Sequence, residues 1–332
     1  MAVMTRITTN MIQRNYQNNL TATLGGLESS RRQVETGRRF QYSYEDPAAS
    51  ARAAVLERRY SRVQDYLDNI DDAQAWQNTQ EDAAMAVEDY ATTINKNYSI
   101  QAVNGTNIDK SIRETYATSI QSLQEAIVTS LNARYGDTYV LAGNEGKSPA
   151  FTLEDGVLKY RGQDVDTLTS DDPLLNEHSY VDVGFGLTID GDDVVSSSAF
   201  DAALPGVKLV GYDLNDEGVS NNLVNLAGQM AEELRKDEFD EEAYRKLWLQ
   251  FEDTTNKLTD QVSVLGTKTQ LLTSTKDRLE NEKLSIETQF DDAVNIEPAE
   301  AIMNYSWANY AYNSALKVGA SLITPSLLDF IS

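Results

Sequence analysis

The residues best suited to acid–base chemistry in this chain are two pairs of adjacent aspartates, Asp171-Asp172 and Asp192-Asp193. Two carboxyl groups can serve as general acid and general base when their surroundings separate their pKa values. Both pairs stand in a polar stretch rich in glycine, which supplies no such difference, so we expect a solvated acidic surface. An enzyme housed in this stretch, such as one that cleaves polysaccharide, is the alternative hypothesis.

Other catalytic and metal-binding patterns are weak or missing from the sequence. Cysteine is absent, which excludes disulfides, thiol nucleophiles and sulfur-ligated metals. The single histidine, His178, stands in a polar segment and is expected at the surface. A calcium-loop pattern begins at Asp190, but Val195 replaces its glycine and Asp201 its final glutamate. We therefore predict a protein that is not an enzyme and holds neither metal nor cofactor.

Charge is unevenly distributed along the 332 residues, whose net charge is −24. This balance disfavours binding to nucleic acid or to anionic membranes. Residues 1–62 contain ten Arg, no Lys and five acidic residues, a net charge of +5, which leaves −29 for the remaining 270 residues. A basic arm beside an acidic body suggests that the arm docks on acidic helices, in the same chain or in a neighbouring copy.

The elements that would position these charges are mostly helical. Apolar residues recur every three or four positions over residues 7–36 and again over residues 47–98, the spacing of one helix face. Between the two patterns, Gly37 can take the left-handed conformation that ends a helix. Asp46-Pro47 is typical of an N-cap followed by the first helical residue. One helix is predicted to end here and another to begin.

Further helices follow along the chain. A turn is predicted over residues 100–111, with Asp109 as the cap of a helix that extends to Leu131, and Ser220 is the candidate cap of a later helix. Residues 240–296 contain no proline, and apolar residues recur there every seven positions, at Leu265, Leu272, Leu279, Ile286 and Ala293. Such a long helix must pack along another, and the helix over residues 47–98 is the natural partner. The tryptophans Trp76, Trp248 and Trp307 are expected in the core.

The stretch from 141 to 215 has a different texture. It contains many glycines, and four Lys or Arg stand against fourteen Asp or Glu. Phe151 to Tyr160 reads as a hairpin with an Asp-Gly turn, and apolar residues alternate with a period of two from Val181 to Ile189, which predicts a strand. We predict a small acidic β-rich domain inserted between helical arms.

A second break, at Pro298, mirrors the first near the other end of the chain. The predicted fold class is mainly α: a long, coiled-coil-like helical bundle formed by the N- and C-terminal arms, with the inserted β-rich domain. Three domains are expected: a terminal helical layer, a helical rod and the insertion. Their ranges are 1–45 with 296–332, 46–140 with 216–295, and 141–215. Gly37, Asp46, Pro47 and Pro298 would form the hinge between the two helical layers.

Several motifs occur in an order known from one family. TRITTNMIQRN opens the chain, GRRFQYSYEDPAASARAAVLERR begins at Gly37, NIDDAQAWQNTQEDA and YVLAGN follow, and SLLDFIS closes it. In these motifs the chain resembles the flagellin superfamily, and within it the hook-filament junction proteins (flagellar hook-associated protein 3, FlgL type). Filament flagellins share both arms and are the alternative. They usually continue the Asp-Pro break with Gly-Leu-Ala-Ile, where this chain has Ala49 to Arg52, and end in Leu-Leu-Arg.

The resemblance implies a non-enzymatic subunit, exported through the flagellar secretion system without a cleaved signal peptide and assembled outside the cell. It implies four kinds of partner: copies of itself in a ring, a first junction protein of the FlgK type, flagellin, and an export chaperone before secretion. The terminal faces have few partners within one chain, so we expect neighbouring copies to bury them. The predicted assembly residues are Ile7, Met11, Ile12, Leu20, Leu24, Leu27, Val34, Ile302, Tyr305, Tyr312, Leu316, Leu322, Ile323, Leu327, Leu328 and Phe330.

Overall fold

Long helices make up most of the computed structural model, which describes residues 9–104, 109–191 and 193–323. The helices are α1 (Thr9–Thr36), α2 (Pro47–Thr93), α3 (Ile100–Asn104), α4 (Lys110–Leu131), α5 (Val207–Val210), α6 (Leu223–Arg235), α7 (Glu241–Val294) and α8 (Pro298–Ile323). A π-helical segment, Ile94–Ser99, joins α2 to α3. The predicted fold class, mainly α with a small β-rich insertion, is confirmed.

The strands are short and pair antiparallel. They are β1 (Arg134–Tyr135), β2 (Thr138–Tyr139), β3 (Phe151–Glu154), β4 (Val157–Tyr160), β5 (Gln163–Asp164), β6 (Tyr180–Val181), β7 (Ile189–Asp190), β8 (Asp193–Val194) and β9 (Phe200–Asp201). β3, β4 and β5 form a three-stranded sheet, while β1 pairs with β2, β6 with β9 and β7 with β8. The predicted hairpin is confirmed, because Glu154 pairs with Val157 across the Asp155-Gly156 turn.

The chain divides into two compact units, each built from residues distant in sequence. The terminal unit comprises the described residues of 1–62 and 281–332, and the central unit those of 63–280. The three predicted domain ranges stay a prediction.

The core of the central unit is organised by a seven-residue repeat on α7. The predicted repeat residues are all buried, and the repeat begins three heptads earlier than the sequence analysis placed it. Its members in the central unit are Tyr244, Phe251, Leu258, Leu265, Leu272 and Leu279. A strict seven-residue repeat keeps one seam of the helix facing a partner helix. The sequence pattern therefore identified the buried seam correctly.

Polar side chains join α2 and α7 within the central unit. The Thr269 hydroxyl donates to the Glu81 carboxylate at 2.6 Å, and the Lys276 ammonium lies 2.6 Å from the Asp71 carboxylate. Further along, the Trp248 indole donates at 2.7 Å to the side-chain oxygen of Asn95, in the π-helical segment that follows α2. The predicted pairing of these two long helices is confirmed here.

The β-rich segment shares its core with the helices of the central unit. Phe151, Leu158 and Tyr160 are buried in the same hydrophobic cluster as residues of α4 and α6. The buried Gln80 of α2 donates its amide to the Val140 carbonyl at 2.8 Å. Asn132 also holds Phe151 at both backbone groups, donating to its carbonyl at 2.8 Å and accepting from its amide at 3.1 Å. The segment is thus anchored by apolar burial and by these three hydrogen bonds.

Two local predictions in the β-rich segment and after it were wrong. The alternation from Val181 to Ile189 does not form one strand, because Gly184 and Gly186 adopt φ values of +81° and +86°, outside extended backbone. Ser220 does not cap α6. The cap is Asn222, whose side-chain oxygen accepts from the amides of Val224 and Asn225.

The first part of the predicted turn over residues 100–111 is helical. Residues 100–104 continue as helix α3, and residues 105–108 lie outside the described part of the chain. Asp109 does occupy the N-cap position of α4, but its side chain forms no capping hydrogen bond.

Candidate assembly surface

Helices α1 and α8 pack against each other as an antiparallel pair. At one end, residues 37–39 meet residues 294–296, and at the other end Tyr16 lies against Gly319. A Cβ atom added to Gly319 would stand 1.9 Å from the Tyr16 hydroxyl oxygen, so the absence of a side chain permits this approach. Gly319 is itself buried. The mirrored breaks thus place the two terminal helices side by side.

The predicted assembly residues divide into two groups by exposure. Leu20, Leu27, Tyr305 and Tyr312 are half-buried in the terminal unit. The exposed members are Met11, Ile12, Leu24, Val34, Ile302 and Leu316. Ile7, Leu327, Leu328 and Phe330 lie outside the described residues, and of Leu322 and Ile323 only the helical backbone is described. The exposed group is surface that a single copy leaves in water.

Helix α8 carries a further exposed apolar stripe that the sequence analysis missed. Met303, Trp307 and Tyr310 follow each other at helical spacing, and the two aromatic side chains are 67% and 69% exposed. Trp307 was predicted in the core, which was wrong. A helix that is apolar on more than one face needs more than one partner. The all-round apolar character of α8 was the signal that could have found this stripe.

The two breaks are hydrogen-bonded to each other. The Arg39 amide donates to the Val294 carbonyl at 2.7 Å, and the Ile296 amide donates to the Gly37 carbonyl at 2.9 Å. Gly37 adopts φ +69°, as the sequence predicted for a residue that ends a helix. The structure therefore brings the predicted hinge residue Gly37 beside the C-terminal break.

Residues 37–46, the junction segment, are held to both flanking helices. Glu45 accepts from the Gln41 amide at 2.7 Å and from the Arg32 guanidinium at 2.8 Å. The amide of Gln41 and the charge of Arg32 hold the pKa of Glu45 below its ordinary value. This contribution to stability is present at neutral pH and is lost as the pH falls through that lowered pKa. The Arg32–Glu45 pair escaped sequence analysis because it spans thirteen positions without a local motif.

The remaining predicted hinge residues occupy helix starts. The Asp46 carboxylate accepts from the Ala49 amide at 2.9 Å, which confirms it as the N-cap of α2, and Pro47 is the first helical residue. Pro298 likewise opens α8. Each proline stands where a helix needs no amide donor. Their role as a hinge stays a prediction.

Among the acidic residues considered for catalysis, one serves a local turn. Asp172 accepts from the Leu174 amide at 2.9 Å, while Asp171 and Asp193 are exposed and Asp192 lies outside the described residues. His178 is exposed, as predicted, and one of its ring nitrogens lies 2.7 Å from the Asp201 carboxylate. Among the residues that the structure describes, no cluster of three or more potential metal ligands occurs. Within those same ranges, none of the helices has the length and apolarity needed to cross a membrane.

Comparison with known proteins supports the resemblance. Residues 7–145 match the model of the bacterial flagellin N-terminal helical region. Searched by sequence against curated proteins, the chain has no match.

Solved structures share the fold at low sequence identity. A protein from Vibrio parahaemolyticus assigned as a flagellar hook-associated protein aligns with a TM-score of 0.61 and 18% identity over 76% of this chain and 100% of its own. Flagellar hook associated protein-3 from Legionella pneumophila aligns with a TM-score of 0.55 and 10% identity, over 72% of this chain and 98% of its own. FlgL from Bacillus cereus aligns with a TM-score of 0.52 and 15% identity, over 71% of this chain and 99% of its own.

The family model matches the N-terminal arm, which carries most of the sequence motifs, and the solved structures share the fold. The arm match begins at Ile7 and ends close to the YVLAGN motif. The predicted resemblance to the flagellin superfamily is thereby confirmed, and the fold is shared with chains named FlgL and flagellar hook-associated protein.

Proposed function

We propose that this chain is a structural subunit of the bacterial flagellum that forms a ring between hook and filament by helix-mediated self-association. The observation that carries the proposal is the apolar surface that α1 and α8 leave in water, with Trp307 and Tyr310 as its largest members. Contiguous exposed apolar surface marks interaction sites. Sister copies packed along these helices would remove it from water.

The free energy gained by this burial is large enough to favour assembly. Burying the exposed two thirds of one aromatic side chain gains roughly 2–4 kcal/mol at about 25 cal/mol per Å2. Because both aromatic residues and the smaller apolar residues of α1 would contribute, the gain offsets part of the entropy lost on association. We expect binding to be strong only where several copies surround each helix pair.

The likeness in fold to chains named FlgL and flagellar hook-associated protein supports the proposed position at the hook-filament junction. In that place the ring would contact a first junction protein of the FlgK type on one side and flagellin on the other. The subunit would leave the cell through the flagellar secretion system without a cleaved signal peptide, after release from an export chaperone. Nucleic acid, membranes and cofactors have no part in this function.

Filament flagellin is the second candidate, favoured by the match of residues 7–145 to the flagellin N-terminal region. The two hypotheses predict different behaviour of the purified protein. A filament flagellin extends filament seeds into long polymers, whereas a junction subunit adds a layer and stops.

Electron microscopy of a strain that lacks the gene tests the proposal. We expect bare hooks with monomeric flagellin in the medium, and restoration of filaments by the wild-type gene. The double variant Trp307→Ser/Tyr310→Ser should fail to restore them because its assembly surface is polar. The matched control replaces Met85 and Leu271, exposed apolar residues of the central unit, by Ser and should restore filaments. Intact filaments in the deletion strain would contradict the junction role.

A further inference from the structure

We propose that neighbouring copies of this chain meet head to tail, through a basic stripe on α2 of one copy and an acidic groove between α2 and α7 of the next. The inference rests on the proposed self-association and names the surfaces that carry it. Both surfaces belong to the terminal unit. Neither contains one of the predicted assembly residues of α1 and α8.

The basic stripe consists of Arg52, Val55, Arg58, Arg59 and Arg62, all of which are exposed. At about 100° per residue these five positions fall within roughly 120° of the helix circumference. The four arginines form no ion pair with any residue that the structure describes. Like charges three or four positions apart destabilise a helix slightly, and Arg62 follows Arg58 and Arg59 at those distances. An acidic partner from outside the copy would relieve that repulsion.

The acidic groove has an apolar floor and a rim of carboxylates, with a volume of about 370 Å3. Its floor and walls are formed by Leu56, Tyr60, Ile286 and Phe290, and its rim by Glu57, Glu287 and Asp291. Glu57 and Glu287 are exposed and form no ion pair among the described residues. Lys283, whose ammonium lies 5.3 Å from the centroid of the Tyr60 ring, is the neighbouring cation.

The two surfaces match in chemistry. Arginine presents an apolar stem and a planar charged head, which suits a groove that is apolar inside and acidic at its edge. Val55, 47% exposed in the middle of the stripe, would enter the apolar part of the groove. Association of two stripes, or of two grooves, would instead bring like charges together. The occupant of the groove is therefore the stripe of another copy.

The positions of the two surfaces on α2 favour a ring. Both lie at the same level of the helix, residues 52–62, so copies can associate side by side without an axial shift. The stripe and the α2 wall of the groove are separated by roughly 140° around the helix axis. One copy can thus donate its stripe to one neighbour and its groove to the other. Such heterologous contacts close into a ring or continue as a helical array.

Charge reversal in pairs tests this contact. The stripe variant is Arg59→Glu/Arg62→Glu and the groove variant is Glu57→Lys/Glu287→Lys. Each alone should weaken self-association of the full-length protein roughly fivefold to tenfold at low salt, measured by sedimentation, and should fail to restore filaments in the deletion strain. The matched control is Lys96→Glu/Lys246→Glu, which makes the same charge change as the stripe variant at exposed residues of the central unit.

Mixing the two variants gives the decisive result. In a mixture, the unchanged stripe of the groove variant can bind the unchanged groove of the stripe variant. The reversed stripe of the stripe variant can likewise bind the reversed groove of the groove variant. We expect the mixture, and cells that express both variants, to regain association and filaments. Loss in the single variants without rescue by mixing, or no loss in either variant, would overturn the proposal.

Failure of the contact is distinguishable from failure of the proposed function. If the junction role is wrong, the deletion strain keeps its filaments. If only the contact is wrong, the deletion strain has bare hooks, and the single variants either restore filaments as well as the wild type does or fail even when mixed.

Discussion

The terminal unit and the central unit are both built from long helices, but they bury their apolar residues to different extents. In the central unit the heptad residues of α7, such as Phe251 and Leu265, are removed from water within one copy. In the terminal unit α8 is at least as apolar, yet Trp307 and Tyr310 remain exposed. The same helical periodicity therefore encodes folding in one unit and, on our proposal, assembly in the other. The difference lies in whether a partner helix belongs to the same chain.

The comparison predicts the largest loss of stability in the core of the central unit. Phe251→Ala removes a fully buried ring and leaves a cavity, so we expect the free energy of unfolding to fall by about 3–5 kcal/mol. Chemical denaturation of the full chain measures this. Leu271→Ala is the control on the same helix, because its side chain is exposed, and it should cost less than about 1 kcal/mol. Equal losses of unfolding free energy in the two variants would contradict the distinction between buried and exposed residues of α7.

Alkaline pH should weaken the central unit next. Burial raises the pKa of Tyr160 and of Tyr244 to about 12 each, whereas both ionise near pH 10 in the unfolded chain. A raised folded pKa contributes stability that is present below about pH 10 and is lost as the pH rises through about 12. We expect a loss of roughly 2–3 kcal/mol per tyrosine near pH 12.

Denaturation at a series of alkaline pH values measures this loss. Tyr160→Phe and Tyr244→Phe should each flatten the decline, since phenylalanine cannot ionise. Tyr310→Phe, at an exposed position of the terminal unit, serves as the control and should leave the decline unchanged. A decline as steep in the two core variants as in the wild type would show that other groups cause it.

A smaller change in stability is expected from adding a side chain to glycines of the terminal unit. Gly37→Ala forces a side chain into φ +69° and should lower stability by about 1–2 kcal/mol. Gly26→Ala is the opposite control, because a Cβ there meets no atom within 4 Å inside α1, and alanine should raise helix stability by up to about 1 kcal/mol. Thermal unfolding of the two variants distinguishes them by sign. Destabilisation by both would show that α1 tolerates no added methyl group.

The smallest effect on a single copy is expected at the largest exposed side chains. Trp307→Ser should change the unfolding free energy of the dilute protein by less than about 0.5 kcal/mol, because its side chain is 67% exposed. Denaturation of the monomer measures this, and filament attachment in cells measures assembly. A large loss of monomer stability would mean that Trp307 belongs to the fold of one copy.

Local and periodic signals in the sequence predicted much of this fold. The heptad of α7, the end of α1 at Gly37 and the Asp46-Pro47 start of α2 were predicted correctly, because each depends on spacing or on one residue's conformational preference. The partner of an apolar face is a different matter. Periodicity cannot say whether Trp307 meets its own chain or water.

Long-range polar contacts explain two further failures. Ser220 was expected to cap α6, but its hydroxyl donates to the Asp166 carboxylate and accepts from the Asn222 amide, and Asn222 caps the helix instead. Asp166 is distant in sequence, so no local pattern predicts its hydrogen bond with Ser220. The same holds for Arg32 and Glu45, which meet only because the junction segment folds back on α1.

Antiparallel packing of α1 and α8 has a practical consequence. The two helices have 28 and 26 residues and meet at Gly37 and Ile296, so their far ends, Thr9 and Ile323, emerge at the same end of the pair. A fluorophore or affinity tag near either of these residues would sense or obstruct the same neighbourhood. Shortening one helix by a turn would likewise strip cover from the other.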